Sequence, residues 1–194
     1  IQHKQLPIIR WTVDALNELD ISDKTPVTQF GAIAIRDPGL VLKLLRAAND
    51  TEKRRLQADV YTVEHAAMML GITRMRSIHA ALPLIDDAAS GPAKAGLWRT
   101  IERAYHAAYQ AYEWARLRHD RLAEEIFTVT LLHEVGELML WTHGPAALLQ
   151  VEELVHEEDA PVDEAQYIAL GCSLPELSLA LAEGWVVAIA IGVG

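Results

Sequence analysis

The sequence predicts an all-α protein built from two packed helical subdomains. Three observations carry this expectation. Apolar residues recur at helical spacing along nearly the whole chain, with no alternating run and no strand pair. Helix-start signals, a Thr or Asp followed by Pro or by an apolar run, occur repeatedly. The stretch Ala88-Ala-Ser-Gly-Pro92 interrupts the pattern and divides residues 1–90 from residues 91–194. At 194 residues the chain has room for one full core or for two small helical units packed together.

The elements follow in order. Thr25-Pro26 reads as a cap with Pro at the first helical position, and Asp37-Pro38 repeats the device. The helix from Pro38 to Asn49 places Leu40, Leu44, Leu45 and Ala48 on one face. A polar loop spans Asp50 to Arg55. Thr62 caps a helix from Val63 to Leu70, which Gly71 ends. The spacing then predicts a helix from Ile72 to Leu84, stopped by Asp86-Asp87. Beyond the break, a long helix runs from Leu97 to Arg118 and carries Tyr105, Tyr109 and Tyr112 as a stripe suited to core or helix packing. A helix from Glu124 to Trp141, one from Leu148 to His156, one from Asp163 to Leu170 and a last one starting near Ser173 complete the set. Ser173 and Glu176 have the spacing of a capping box, with Pro175 in the first turn.

Composition narrows the function. Hydrophobic residues make up 51% of the chain and low-complexity tracts are absent, a globular composition. The formal net charge of −10 repels phosphate backbones and anionic lipid, which argues against nucleic-acid and membrane partners. The basic cluster Lys53-Arg54-Arg55, with Arg74 and Arg76, reads as a solvated face. The single cysteine, Cys172, excludes an intrachain disulfide and cysteine-based zinc chemistry, and it fits a reducing cytoplasm. No secretory signal is visible, and a start at Ile1 without Met suits a segment of a longer chain. The apolar run Val186–Gly194 is far too short to span a bilayer.

The stretch Thr130-Leu-Leu-His-Glu-Val-Gly-Glu-Leu-Met-Leu140 sets one histidine and two acids in an apolar run. His106 lies 27 residues before His133, on the preceding helix. A His on one helix and a His-acid pair on its neighbour can converge on a divalent cation, because imidazole nitrogen and carboxylate oxygen both suit such metals. His119-Asp120 is a literal His-Asp pair, but Arg118-His-Asp-Arg121 is a polar inter-helix loop with nothing apolar to dry a metal site. His65, His143 and His156 read as surface or helix-end residues.

Several segments in order now resemble the HDOD domain, the HD-related output domain of bacterial signalling proteins. Arg36-Asp-Pro-Gly-Leu-Val-Leu-Lys-Leu-Leu-Arg-Ala-Ala-Asn49 is similar to its QDPALxxRLLRLAN segment, and the run from Thr62 to Arg76 is similar to SIxxAIxxLGLxxLR. Leu97-Trp-Arg99 resembles the LWxHS opening of the second half, Leu131-Leu-His-Glu-Val-Gly136 resembles LLHDIG, and Ala165 to Trp185 loosely follows the closing pattern. The resemblance implies a five-helix HD-like half preceded by a smaller helical half, and a role as an output or regulatory domain in signal transduction. HD phosphohydrolases hold their metal with a first His, the His-Asp pair and a later Asp. HDOD proteins generally lack the full set and are regarded as non-catalytic.

This chain departs from a working site in chemical terms. Glu134 stands where the pattern has Asp, and its extra methylene displaces the carboxylate by more than about 1 Å, against a tolerance of ~0.2 Å in a metal site. Glu137 replaces the Lys of the pattern and turns a phosphate-attracting cation into a repelling anion. Where the late acid belongs, the chain reads Leu170-Gly-Cys-Ser-Leu-Pro-Glu176, a helix start. Asp163 and Glu164 lie upstream of that position as candidate substitutes.

His106, His133, Glu134 and Glu137 therefore read as a vestigial HD-like site, with no catalytic residue, metal or cofactor. The first three are expected to survive as a buried polar network. The leading function is a non-catalytic regulatory module that contacts other signalling proteins or further domains of the same chain. The alternatives are a metal-dependent phosphohydrolase of nucleotides or cyclic dinucleotides, and a nucleotide sensor. Arg99 and Arg103, one turn apart with Glu102 between them, are the candidate phosphate contacts. If the trio is buried, His133→Ala lowers the melting temperature by stranding its partners, at about 1–3 kcal/mol per unsatisfied group.

Overall fold

The structure is a computed structural model, and it describes residues 4–19, 27–49 and 60–184. Thr25-Pro26, the loop Asp50–Arg55 with its basic cluster, Trp185 and the run Val186–Gly194 lie outside the described residues. Among those described, twelve helices account for nearly all regular structure, and the one β feature is an isolated parallel bridge between Ile8 and Leu84. The fold is all-α.

The first half holds α1 (Arg10–Glu18), α2 (Val27–Ala34), α3 (Pro38–Asn49), α4 (Val63–Leu70), α5 (Ile72–Ala80) and the short α6 (Ile85–Ala88). α3 is its centre. Leu40, Leu44, Leu45 and Ala48 are buried as their spacing requires, and Val41 and Leu42 are buried with them, so packing surrounds this helix. Asp37 is the reason α3 starts where it does. Its Oδ1 accepts from Leu40 N at 3.1 Å and its Oδ2 from Ile9 N at 2.7 Å. One carboxylate thus caps α3 and ties it to the start of α1. Asn49 closes the other end of α3, pairing both ways with the Val60 backbone at 2.9 and 3.0 Å.

The cap at Thr62 is as expected, with Oγ1 accepting from His65 N at 3.2 Å. Arg74 and Arg76 are exposed. The expected helix from Ile72 to Leu84 is shorter, ending at Ala80. Pro83 is the cause, because it disfavours helical geometry at the residue before it. Its carbonyl accepts from Ile8 N at 2.8 Å, and Ile8 O accepts from Ile85 N at 3.0 Å, which makes the bridge. Asp86 and Asp87 do not stop a helix; they occupy the first turn of α6. Asp86 receives Arg10 at 3.0 Å and Lys94 at 2.7 Å, joining α1 to the second half.

The second half holds α7 (Gly91–Leu117), α8 (Ala123–Leu132), α9 (Val135–His143), α10 (Pro145–Glu157), α11 (Val162–Leu170) and α12 (Leu174–Gly184). α7 begins six residues earlier than expected, inside the break itself, because Pro92 suits the first turn of a helix. Its Ala104 and Ala108 are buried. The expected Glu124–Trp141 helix is two helices, with His133 and Glu134 at the joint, so this half has six helices instead of five. One hydrophobic cluster runs from Leu6 to Leu181 through both halves.

Burial pushes the Asp37 carboxyl up to about 6 from its ordinary 3.8, against the opposing pull of the Ile9 and Leu40 N–H groups. The folded protein therefore holds this proton more tightly than the unfolded chain. The resulting stability is complete below about pH 4 and is lost as pH rises through 6, an effect on the order of 3 kcal/mol. Chemical denaturation at pH 4 and pH 7 is expected to show wild type losing stability relative to Asp37→Asn as the pH rises. A gap that does not change with pH would contradict the buried carboxyl.

Candidate functional site

The His-acid motif lies at the joint between α8 and α9. His133 keeps helical angles (φ −56°, ψ −36°), while Glu134 has φ −86° and ψ 11°. α8 and α9 both pack on α7, and beyond the bend α9 also meets α10 and α12. α9 lies against α7 through Trp141 and against α12 through Gly136. A Cβ on Gly96 of α7 would lie 2.3 Å from the Trp141 ring, so the crossing requires glycine. A Cβ on Gly136 would lie 2.8 Å from Ser178 Oγ, the atom that accepts the Gly136 N–H at 3.0 Å.

Glu137 sits at the centre of the α7–α9 contact, its side chain 13% exposed. Oε1 accepts from Thr100 Oγ1 at 2.7 Å and from Trp141 Nε1 at 3.1 Å, and Oε2 accepts from Arg103. Arg103 also reaches Glu134, with Nη2 3.2 Å from Oε2. One guanidinium on α7 thus joins the two acids on α9. Burial opposes its charge, but the hydrogen bonds and charges of Glu134 and Glu137 outweigh burial and hold Arg103 above its ordinary value. Glu137 is therefore no free anion repelling phosphate. It is a satisfied carboxylate with its charge offset.

These residues edge a cavity of about 360 Å³, closed on the far side by α10, α11 and α12. His133 lines it but is exposed, and His106 is exposed on α7, its Nε2 3.0 Å from Gln110 Nε2. The expected buried trio is thus not formed. Of its members only Glu134 enters a network, and that network runs to Arg103. The sequence was misread here because an apolar neighbourhood along the chain does not say which side of a helix a residue occupies. Arg99 and Arg103 do face this region, yet each is paired: Arg99 with Glu152, Arg103 with both acids.

Asp163 and Glu164 are exposed on α11 and do not line the cavity. Ser173 and Glu176 form the capping box, with Glu176 N to Ser173 Oγ at 3.3 Å and Ser173 N to Glu176 Oε2 at 2.8 Å. The Ser173 N–H, then the Tyr167 and Ser173 hydroxyls, hold the Glu176 carboxyl below its ordinary value. His119 has left-handed backbone angles (φ 58°) in the α7–α8 turn, where Asp120 accepts from Leu122 N at 2.9 Å, a loop role for both. His156 is exposed at the end of α10, and His143, at the end of α9, meets the Gln5 carbonyl at 2.8 Å.

The metal implied by an HD ancestry does not fit these residues. Both acids at the motif already hold a guanidinium, and among the described residues no three His, Cys, Asp or Glu side chains are placed to share an ion. Sequence reasoning missed Thr100, Trp141, Gln166 and Ser178. A usable signal existed: Thr100 and Arg103 are spaced i, i+3 and Glu134, Glu137 and Trp141 i, i+3, i+7, so each set shares a helix face.

The fold is helical throughout the described residues, and the two acids at the His-acid motif share one arginine. The HDOD domain profile matches residues 6–191, and the chain belongs to the HDOD family. Among solved structures it is similar to the MmoQ response regulator of Methylococcus capsulatus (TM-score 0.73, 22% identity, 95% of this chain and 72% of that one). It is equally similar in fold to a virulence factor of Campylobacter jejuni (TM-score 0.73, 16% identity, 95% and 67%). No curated protein matches the sequence. No described helix is long and apolar enough to cross a membrane.

Removing Glu137 leaves the Trp141 N–H without its acceptor at a mostly buried contact, reduces Arg103 to Glu134 alone and turns the Thr100 hydroxyl to the Gly96 carbonyl. Glu137→Ala is expected to cost about 3 kcal/mol, Glu137→Gln clearly less because its carbonyl keeps one acceptor, and His133→Ala under about 0.5 kcal/mol. Urea unfolding of the three variants checks the order. A His133→Ala loss matching that of Glu137→Ala would restore the buried-histidine reading.

Proposed function

We propose that this domain is a non-catalytic regulatory module in signal transduction, working through contacts with other signalling proteins or with further domains of its own chain. The carrying observation is Arg103. In a phosphohydrolase of this ancestry the acid that follows the motif histidine must be open to metal and water. Here Glu134 and Glu137 hold a guanidinium anchored on α7, and any metal would have to displace it. The exposure of His106 and its contact with Gln110 support the same reading. So does the exposed apolar surface of Trp114, Leu117 and Leu122 around the α7–α8 turn, which suits protein contact. A solved neighbour of this fold is named a response regulator, which is consistent with a signalling role.

Two measurements test the proposal. After purification without chelator, elemental analysis is expected to find far less than one equivalent of Zn, Mn or Fe. With added Mn or Mg, no hydrolysis of cyclic dinucleotides, nucleoside phosphates or generic phosphodiesters is expected. Stoichiometric metal that disappears in His133→Ala, or turnover that scales with protein and vanishes in His106→Ala, would make the domain an enzyme.

A further inference from the structure

A second cavity, of about 260 Å³, opens where the two halves meet, and it shares no lining residue with the Arg103 cavity. α7 contributes Tyr105, Tyr109 and Tyr112, spaced i, i+4, i+7 so that the three rings share one face. Phe127 of α8, buried beneath them, meets Tyr105 and Tyr112 edge-on at 5.9 and 6.3 Å between ring centres. Those two rings are therefore held in place. Tyr109, 51% exposed, stands at the mouth. The expectation that the stripe serves packing holds for two tyrosines and fails for the third.

Two carboxylates line the same space, Glu64 on α4 and Glu124 in the first turn of α8. Glu64 Oε2 is buried and has no hydrogen-bond partner. Burial, and to a lesser degree the charge of Glu124, hold the Glu64 carboxyl above its ordinary value. Among the described residues Arg36 is the one cation on the lining, and its guanidinium carbon lies 5.6 Å from the centre of the Trp11 ring.

We propose that this inter-half cavity binds an organic cation, an ammonium or guanidinium group, between the carboxylates of Glu64 and Glu124 and the tyrosine rings. The competing ligand classes fit worse. An anion would meet two carboxylates on a chain of net charge −10. A neutral apolar ligand would offset the charge of neither carboxylate. For a metal ion the lining offers just the two carboxylates, and among the described residues no three His, Cys, Asp or Glu side chains are grouped to hold one. An ammonium or guanidinium supplies several N–H donors for the carboxylates and a diffuse positive charge for the ring faces. Because the walls come from both halves, a bound cation also links α4 to α7 and α8.

The test is isothermal titration of the 194-residue chain with agmatine and n-butylammonium, with n-butanol as the neutral control and a capped Ala-Lys-Ala peptide as the protein-borne cation. Saturable one-to-one binding of the cations, and not of butanol, is expected. Affinity should fall about tenfold or more in Tyr109→Ala and in Glu64→Gln. Arg36→Ala, which removes the resident cation, should tighten it, and Arg99→Ala at the other cavity should leave it unchanged. Binding by the free amines assigns a small metabolite; binding by the peptide alone assigns a partner's basic side chain. Should a weakening variant fail to fold, as judged by circular dichroism, the Arg36→Ala comparison decides. No saturable binding of any cation, equal binding of butanol, or affinities indifferent to these substitutions overturns the proposal.

Discussion

The second half of this protein is organised around the Glu137 carboxylate. It accepts from a hydroxyl, an indole and a guanidinium, all at the crossing of α7 and α9. A mostly buried carboxylate is tolerable only when its oxygens are satisfied and its charge is offset, and here three side chains meet that condition together. The crossing must be close for them to reach it, which is why Gly96 faces the Trp141 ring. Once α9 is held on α7, Gly136 can press on Ser178 of α12, and the cavity beside the motif takes its shape.

The same interaction leaves neither acid at the motif without a partner. Two carboxylates three residues apart on one helix face repel each other unless a cation lies between them. Arg103 provides a cation that cannot dissociate. The acids then serve as a clamp between helices, and the surrounding surface is open to other uses. An inter-half cavity with its own acids and aromatic rings is one place where such a use can arise, since it joins the two halves without involving the motif.

Much of the fold could be read from the chain, and the successes share a cause. The caps at Asp37, Thr62 and Ser173 were legible because each is a contact between a side chain and a backbone group three residues on. The buried face of α3 was legible because helical period alone puts Leu40, Leu44 and Leu45 together. The failures also share one. The bridge that follows α5, from Pro83 to Ile8, joins residues far apart in sequence, although Pro83 itself marks where the helix has to end. The joint at His133-Glu134 goes with the contacts that α9 adds to α10 and α12 beyond the α7 face it shares with α8. Asp37 was legible as a cap for α3, whereas its second bond, to Ile9, was not.

By itself the sequence determined the all-α class, most helix starts, the HDOD resemblance and the chemical departures at Glu134 and Glu137, since these depend on residue identity and on neighbours within about one helical turn. Only the tertiary structure decided what those residues do. It turned His106 and His133 to solvent, gave the two acids a common guanidinium, and set Glu64 of one half among the tyrosines of the other. Helical period ranks the faces of a helix by polarity, but the rotation and crossing of helices distant in sequence decide which polar groups meet.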